Sequence, residues 1–319
     1  MKLLTHWTLT LLGWVGLTLT AAGQDMPLSM LLLEGEGWQV VSEGHGFVDG
    51  PCADAKGNFY FSDMRKPAIY RVSPDGQMTT LVEQPASGLK FGPDGRLYAC
   101  QGSKKRLVAF ELPGGKETVI AEDIQPNDLV VTLKGHIYIT ETGKKQVTFI
   151  DPKTGVKKAA DVGITAPNGI TLSPDQGTLA VSDFRGQHVW AFRIEKDGSL
   201  SSKEPYMTMR TEVDVNGKSE DGRSPVYKPS CNGDGMTTDM QGRYYVATSL
   251  GVQVYDPTGR MSGVLPKPSD KAMTSVGFAG PEMEYLYATC ADKVFRRKTK
   301  ARGALYFLPP PPAPAPVKR

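Results

Sequence analysis

The stretch Asp94-Gly95-Arg96-Leu97-Tyr98 is one of six similar phrases in this chain of 319 residues. Each phrase joins a turn, usually containing glycine, to the start of an apolar or aromatic strand. The other five copies lie at residues 56–60, 134–138, 175–180, 241–245 and 284–287. Successive copies end 38, 40, 42, 65 and 42 residues apart. A repeat of about 40 residues is typical of propellers and solenoids.

A second alternating segment follows most copies and ends in a turn such as Pro74-Asp75-Gly76. Segments of period two joined by such turns indicate antiparallel hairpins. Four short strands fit into about 40 residues, and six such sheets arranged radially bury their faces against each other. We therefore predict an all-β fold, a six-bladed β-propeller of four-stranded antiparallel blades. The alternative, a parallel β-helix, has much shorter repeats.

One predicted strand has no blade of its own. It covers residues 38–41, ahead of the first full blade. We expect it to close the ring by pairing with the last blade, whose own sequence is expected to end near Leu305 to Leu308.

Composition agrees with a single all-β domain. The chain has 35 glycines and 24 prolines, which favour many turns and short strands, and its 39% hydrophobic residues can form a substantial core. The net charge is only +3, and the paired basic residues are scattered. We expect no nucleic-acid partner, because no basic face is concentrated in one segment. We also expect a small-molecule substrate and a monomer.

The two ends of the chain differ from the middle. Residues 1–23 resemble a secretory signal, whose apolar run at 9–19 is shorter than the roughly 20 residues that span a bilayer. We predict an exported protein, periplasmic or secreted and without membrane contact after cleavage, with one propeller domain at 24–308. The Pro/Ala-rich residues 309–319 are predicted to be a disordered tail. The widely spaced cysteines are expected to be packing residues: Cys52, Cys100, Cys231 and Cys290.

Six oxygen-bearing residues, which we call the mouth residues, stand 11 or 12 positions before the end of each phrase. They are Asp49, Ser87, Asn127, Asn168, Asp234 and Ser275. Taken singly, pairs such as Asp49-Gly50 are ordinary turns. Equivalent corners of a closed ring converge, however, so we expect these side chains to meet where the innermost strands enter the central channel.

Two carboxylates in one small volume repel each other unless a cation joins them. No histidine or cysteine shares the position of the mouth residues. An all-oxygen set favours one hard divalent cation, Ca²⁺ first, with Mg²⁺, Mn²⁺ or Zn²⁺ as alternatives. Such a half-open site can polarise a carbonyl or phosphoryl oxygen.

At this point the chain resembles the SMP-30/gluconolactonase/LRE-like family, from about Glu43 to Gly303. The resemblance is carried by Phe47-Val48-Asp49-Gly50-Pro51, Pro126-Asn127-Asp128, Pro167-Asn168-Gly169, Gly233-Asp234-Gly235-Met236 and Phe278-Ala279-Gly280-Pro281. The family includes regucalcin-type lactonases and diisopropyl-fluorophosphatase-like phosphotriesterases.

The resemblance implies that Asp49, Asn168 and Asp234 are the metal ligands and that Asn127 assists the metal or the substrate. We expect Ser87 and Ser275 to join Asn127 in binding substrate. The family usually has glutamate where this chain has Asp49, and often asparagine near Ser275.

The resemblance implies that the protein is a metal-dependent hydrolase that opens a sugar-derived lactone or a related ester. Asp234 would be the catalytic residue. Either Asp234 or a water bound to the cation would act as the base or the nucleophile. A non-catalytic binding or sensor propeller with a structural cation is the alternative, and phosphotriester hydrolysis is a third reading. The insertion at 211–232 is either a surface loop or a lid that contacts substrate through Tyr227 and Lys228.

Overall fold

The computed structural model describes residues 26–219, 221 and 223–309. In them, 24 strands form six four-stranded antiparallel sheets. Each innermost strand contacts the innermost strands of its neighbours, and the contact between β2 and β22 completes the ring. The prediction of a six-bladed β-propeller is confirmed.

Each blade runs from the central channel outward. The first consists of β2 (Val48–Ala53), β3 (Phe59–Asp63), β4 (Ala68–Val72) and β5 (Met78–Val82). The second consists of β6 (Leu89–Phe91), β7 (Leu97–Gln101), β8 (Arg106–Glu111) and β9 (Lys116–Glu122). The third consists of β10 (Leu129–Val131), β11 (Ile137–Glu141), β12 (Gln146–Asp151) and β13 (Val156–Val162).

The fourth blade consists of β14 (Pro167–Leu172), β15 (Thr178–Asp183), β16 (His188–Ile194) and β17 (Leu200–Thr208). The fifth consists of β18 (Met236–Thr238), β19 (Tyr244–Thr248), β20 (Gly251–Tyr255) and β21 (Met261–Pro266). The sixth consists of β22 (Met273–Ala279), β23 (Tyr285–Cys290), β24 (Lys293–Lys298) and β1 (Gln39–Glu43). Three short 3₁₀ helices lie at Leu28–Met30, Gly102–Lys104 and Thr142–Lys144.

The ring is closed by the strand expected to do so. β1 pairs antiparallel with β24, from Gln39 opposite Arg296 to Glu43 opposite Lys293. The chain therefore joins its beginning to its last blade, and both edges of the sixth sheet remain short. Short, covered edges protect a β protein from pairing with other chains.

The repeated phrase has a structural reason. In three copies the tyrosine at the end of the phrase is buried, and its hydroxyl donates to the aspartate that opens the preceding turn: Tyr60 to Asp54 (2.9 Å), Tyr98 to Asp94 (2.9 Å) and Tyr245 to Asp239 (2.8 Å). A buried tyrosine needs such a partner for its hydroxyl. Turn and core are thus linked within these three copies.

The sixth blade ends at Lys298, not near Leu305 to Leu308 as expected. The following residues instead form a strap, residues 303–308, across the end of the channel opposite the mouth residues. The Tyr306 hydroxyl is shared between the hydroxyls of Thr171 (2.7 Å) and Thr238 (2.5 Å), on the fourth and fifth blades. The Phe307 ring lies 5.7 Å from that of Phe91 on the second blade. The strap closes one end of the channel.

The predicted signal at 1–23 and the predicted tail at 309–319, apart from Pro309, lie outside the described residues. All four cysteines are buried and free, as their spacing indicated. In the part of the chain that the structure describes, no helix has the length and apolar character to cross a membrane.

Candidate metal centre at the channel mouth

The mouth residues occupy equivalent places in the six blades. Asp49, Asn168 and Ser275 lie in innermost strands, and the other three precede such strands by two residues. All six therefore lie at the same end of the channel, because every innermost strand starts at that end. This common end is what the predicted convergence requires, and the roles of these residues stay a prediction.

Hydrogen bonds between blades fix the backbone of this ring. A hydroxyl of one blade donates to a carbonyl at the start of the next innermost strand, at 2.5 to 2.8 Å. The pairs are Ser62 to Ser87, Ser87 to Asn127, Thr140 to Asn168, Ser182 to Asp234 and Thr274 to Val48. Since the main chain is held on both sides, the mouth side chains project from a rigid support.

The glycines after the mouth residues serve close approach rather than a hairpin turn. A Cβ on Gly50, whose φ is +60°, would lie 2.2 Å from the Ser87 carbonyl oxygen, and one on Gly169 would lie 2.2 Å from that of Asp234. Both glycines sit at irregularities in the pairing of their innermost strands. Only glycine lets neighbouring innermost strands come this close.

Carboxylates from three different blades interact at the mouth. Burial, together with the charge of Asp128, raises the pKa of Asp49 to about 7. Burial, together with the charges of Asp49 and Asp128, raises the pKa of Asp234 well above its usual range. The structure therefore brings Asp49 and Asp234 together, and their mutual repulsion is the electrostatic situation that a bound cation relieves.

Asp128 is the acidic residue that sequence reasoning missed, although it stands beside Asn127. Its side chain is only 7% exposed and accepts the backbone N–H of Leu129 at 2.8 Å. Burial raises the pKa of Asp128, whereas the charge of Lys90 lowers it. The signal available was an acid directly after a mouth residue.

The donor set suits a hard cation. Asp49, Asn168 and Asp234 offer carboxylate and amide oxygens, and all three side chains are half-buried, so each reaches both protein and channel. The described residues contain no group of three or more His, Cys, Asp or Glu side chains arranged to hold a metal. Asn168 and solvent would therefore have to complete any cation site, and the ligand assignment stays a prediction.

Beside the mouth, between the first three blades, lies a cleft of about 260 Å³. Ser87 and Asn127 line it together with Met64, Gln101 and Ser103, and none of the described residues that line it is charged. The Ser87 hydroxyl donates to the Asn127 carbonyl at 2.6 Å. Two of the three predicted substrate contacts thus share one neutral cleft.

The third predicted substrate contact, Ser275, is placed differently. Its side chain is 3% exposed and is packed so closely against Gly235 that a Cβ there would lie 1.9 Å from its Oγ. His45 has local partners: its Nε2 is 2.7 Å from the Ser42 hydroxyl, and its ring packs edge-on against Phe61 and Tyr70.

The insertion is ordered where the structure describes it. Val213 and Tyr227 form an isolated antiparallel bridge, and Lys228 pairs with Glu212. Tyr227 is 56% exposed. No contact of the insertion tests whether it is a lid.

Comparison with known proteins settles the family. Residues 47–292 match the model of the SMP-30/Gluconolactonase/LRE-like region. The chain belongs to this family. The predicted resemblance is therefore confirmed, and it extends over all six blades of this SMP-30/gluconolactonase/LRE-like protein.

Individual relatives are distant. A gluconolactonase of Zymomonas mobilis is 22% identical, with 83% of this chain and 82% of that protein covered. A solved gluconolactonase of Xanthomonas campestris has a TM-score of 0.69 at 20% identity, covering 84% of this chain and 91% of that one. The calcium-binding regucalcin of Agrobacterium tumefaciens has a TM-score of 0.68 at 18% identity, covering 86% and 98%. At these identities the solved structures show the shared fold.

Proposed function

We propose that this protein is a metal-dependent hydrolase that opens a lactone, sugar-derived, or a related ester at a divalent cation in the channel mouth. The observation that carries the proposal is the convergence of carboxylates from separate blades at the open end of the channel. Clustered, mutually repelling acids are common at functional sites. Family membership and the gluconolactonase relative supply the reaction class.

Asp49, Asn168 and Asp234 would hold the cation, with Ca²⁺ as the first candidate and Zn²⁺, Mn²⁺ or Mg²⁺ as alternatives. When bound, the cation would supply Lewis acidity that polarises the ester carbonyl. Asp234 would orient the attacking water and accept its proton, since it is the mouth acid most strongly disfavoured as an isolated anion.

The neutral cleft beside the mouth would take the substrate. The side-chain amide of Asn127 can donate to a hydroxyl or carbonyl oxygen of the ligand, and the Ser87 oxygen, already donating to Asn127, can accept from a ligand hydroxyl. A cleft without charged side chains favours an uncharged, hydroxyl-rich ligand over a sugar acid anion. A volume of about 260 Å³ fits a small ring rather than a polymer.

The predicted signal at residues 1–23 leads us to propose that the reaction takes place after export, in a monomeric periplasmic or secreted protein. Fractionation of cells that express the full chain, with N-terminal sequencing of the product, tests the cleavage.

The decisive experiment is turnover of a panel of aldonolactones by chelated protein to which Ca²⁺, Zn²⁺, Mn²⁺ or Mg²⁺ is returned. We expect hydrolysis to require the metal and to be lost in Asp234→Asn. Asp197→Asn changes an exposed turn between β16 and β17 and is the matched control. This variant should leave turnover unchanged. Cation binding without hydrolysis of any lactone would instead identify a binding or sensor propeller.

A further inference from the structure

Another cleft lies between the first two blades, on the face of the propeller opposite the mouth. We call it the strap cleft, because the first blade, the second blade and the strap line it, with Arg71, Leu112 and Phe307 among its residues. The turns that follow β2 and β6 form part of its wall, and these innermost strands end on the face opposite the mouth. None of the mouth residues lines it. Its volume of about 480 Å³ lies in the range of small-molecule sites.

Arg71 brings a positive charge into the strap cleft. It lies on β4 directly opposite Tyr60 of β3, so the two side chains share one face of the sheet. Its Nε is buried, and no side-chain hydrogen bond or ion pair of the described residues includes its guanidinium. A buried donor without an acceptor is costly, and a guanidinium matches a carboxylate through two parallel hydrogen bonds. The cleft therefore offers a binding group for an anion.

The acid of the strap cleft is already engaged. Asp54 accepts hydrogen bonds from the backbone N–H groups of Lys56 and Asn58 at 2.9 and 3.0 Å. It also accepts from the side-chain amide of Asn58 at 2.7 Å and from the Tyr60 hydroxyl at 2.9 Å. Four donors fill the acceptor sites of a carboxylate. Among the described residues that line the cleft, Arg71 and Lys56 are the two cations and Asp54 is the one acid, which leaves a net positive charge.

The wall that the second blade and the strap contribute is apolar. Phe91 of β6, Leu112 of the turn after β8, and Phe307 of the strap belong to it. The rings of Tyr60 and Phe91 lie 5.0 Å apart and those of Phe91 and Phe307 lie 5.7 Å apart, so the aromatic surface is continuous. Leu112 and Phe307 are only partly buried, which leaves apolar surface open to the cleft. Cations on one blade and apolar surface on the next suit a ligand with a negatively charged end and an aromatic body.

We propose that the strap cleft is a second ligand site, which binds a small aromatic carboxylate. The Arg71 guanidinium would hold the carboxylate, Lys56 would add positive charge from its exposed turn, and the apolar wall would take the ring. The site uses none of the mouth residues, so it does not depend on the proposed lactone hydrolysis.

The test is titration calorimetry of the full-length protein in chelator, with 2-naphthoate as the probe. We expect a dissociation constant of about 0.1 mM for the wild-type protein. Arg71→Gln removes the charge-assisted pair and should weaken binding about tenfold or more. The neutral analogue 2-naphthamide keeps the ring and should also bind about tenfold more weakly. Equal affinity for the two probes would overturn the proposal, because it would show an apolar groove without anion recognition, and so would an absence of 2-naphthoate binding.

The matched control is Arg193→Gln. Arg193 also lies on the third strand of its blade, β16, but it pairs with Glu195 and its side chain is 70% exposed. The affinity of this variant for 2-naphthoate should stay within about twofold of wild type. Equal losses in Arg193→Gln and Arg71→Gln would show attraction by overall charge and would reject the site.

A second variant covers the case in which Arg71→Gln does not fold. Lys56→Gln changes an exposed residue of the turn after β2 and should weaken 2-naphthoate binding about threefold. An affinity unchanged from wild type would contradict the role given to the cations of the strap cleft.

The mouth is the other place at which a carboxylate could bind, through a cation. An affinity that is the same in chelator and in Ca²⁺ supports the strap cleft, whereas binding that requires Ca²⁺ would place the probe at the mouth and overturn the proposal. Failure of the proposed function gives a different result, since a protein without lactone turnover would still bind 2-naphthoate in chelator.

Discussion

The two ends of the channel are built on opposite principles. At the closed end, polar groups are paired. The Tyr306 hydroxyl lies between two threonine hydroxyls, and the backbone carbonyl of Tyr306 accepts from the side-chain amide of Gln176 at 2.7 Å. At the mouth, Asp128 raises the pKa of Asp49, and both of these acids raise the pKa of Asp234. Because the fold satisfies one end and leaves repulsion at the other, we expect the closed end to serve stability and the mouth to serve the proposed cation binding.

The same contrast holds between two acids at the mouth end. Asp49 is raised in pKa by burial and by a neighbouring acid. Burial opposes ionisation of Asp63 too, but the backbone N–H groups of Gly46, Lys66 and others hold its pKa below the usual range. Asp63 therefore clamps the loop that leads into β2, while Asp49 at the start of that strand has one backbone donor, the N–H of Gly50, to oppose the effect of burial on its pKa.

The largest expected effect is that of Asp234→Asn. Loss of one charged ligand and of the proton acceptor should reduce lactone turnover by about a thousandfold. In chelator at pH 8 the variant should nevertheless unfold at a temperature no lower than wild type, since repulsion at the mouth is relieved. Steady-state kinetics and thermal unfolding check the two parts, and turnover within tenfold of wild type would contradict the role of Asp234.

Gly169→Ala tests whether the close packing of innermost strands at the mouth contributes to the stability of the fold. A Cβ there meets the Asp234 carbonyl oxygen at 2.2 Å, so one of two adjacent innermost strands must shift, at about 2–3 kcal/mol of unfolding free energy. Ca²⁺ affinity should fall with it. Gly37→Ala, where a Cβ meets nothing within 4 Å, is the control. Denaturant unfolding with equal midpoints for both variants would argue against a tight mouth ring.

Tyr306→Phe tests the closed end alone. It removes the hydroxyl shared by Thr171 and Thr238 and should lower the unfolding free energy by about 1–2 kcal/mol. Turnover should stay within about twofold, because the mouth residues are untouched. A tenfold loss of turnover at full folding would show that the two ends are coupled.

Asp63→Asn should change how stability depends on pH. The pKa of Asp63 is lower in the folded protein than in the unfolded chain, where it is about 3.9. Its ionisation therefore stabilises the fold above that value, and this contribution is lost as the pH falls through the folded-state pKa. Wild type should lose more stability than Asp63→Asn on going from about pH 5 to about pH 3, with a difference of about 1 kcal/mol by denaturant unfolding. Parallel pH profiles would contradict the clamp.

Asp49→Glu should have the smallest effect. It restores the residue usual in the family and keeps the charge and the oxygen donors, while Gly50 and the Thr274 bond to the Val48 carbonyl keep the backbone in place. We expect turnover and Ca²⁺ affinity to stay within about fivefold of wild type. Loss of cation binding would show that the shorter side chain is required by this mouth.

Much of the fold could be predicted because its signals are local. Five of the six phrases place a buried tyrosine within a few residues of a turn, and the unpaired strand at 38–41 could only complete the last sheet. The predicted end of the sixth blade was wrong, because Leu305 and Phe307 are residue types common in strands although they pack across the channel. Asp128 was missed for the same reason: its importance depends on the acids that other blades place near it.

The sequence by itself determined the number of blades and the end of the channel at which the mouth residues collect. Both follow from periodic hydrogen bonding and side-chain alternation, which short stretches of chain specify. Only the tertiary structure decided that Asp128 joins Asp49 and Asp234, and that the strap closes the far end. These depend on Coulombic and packing contacts between residues that are distant in the chain, and no local pattern records such contacts.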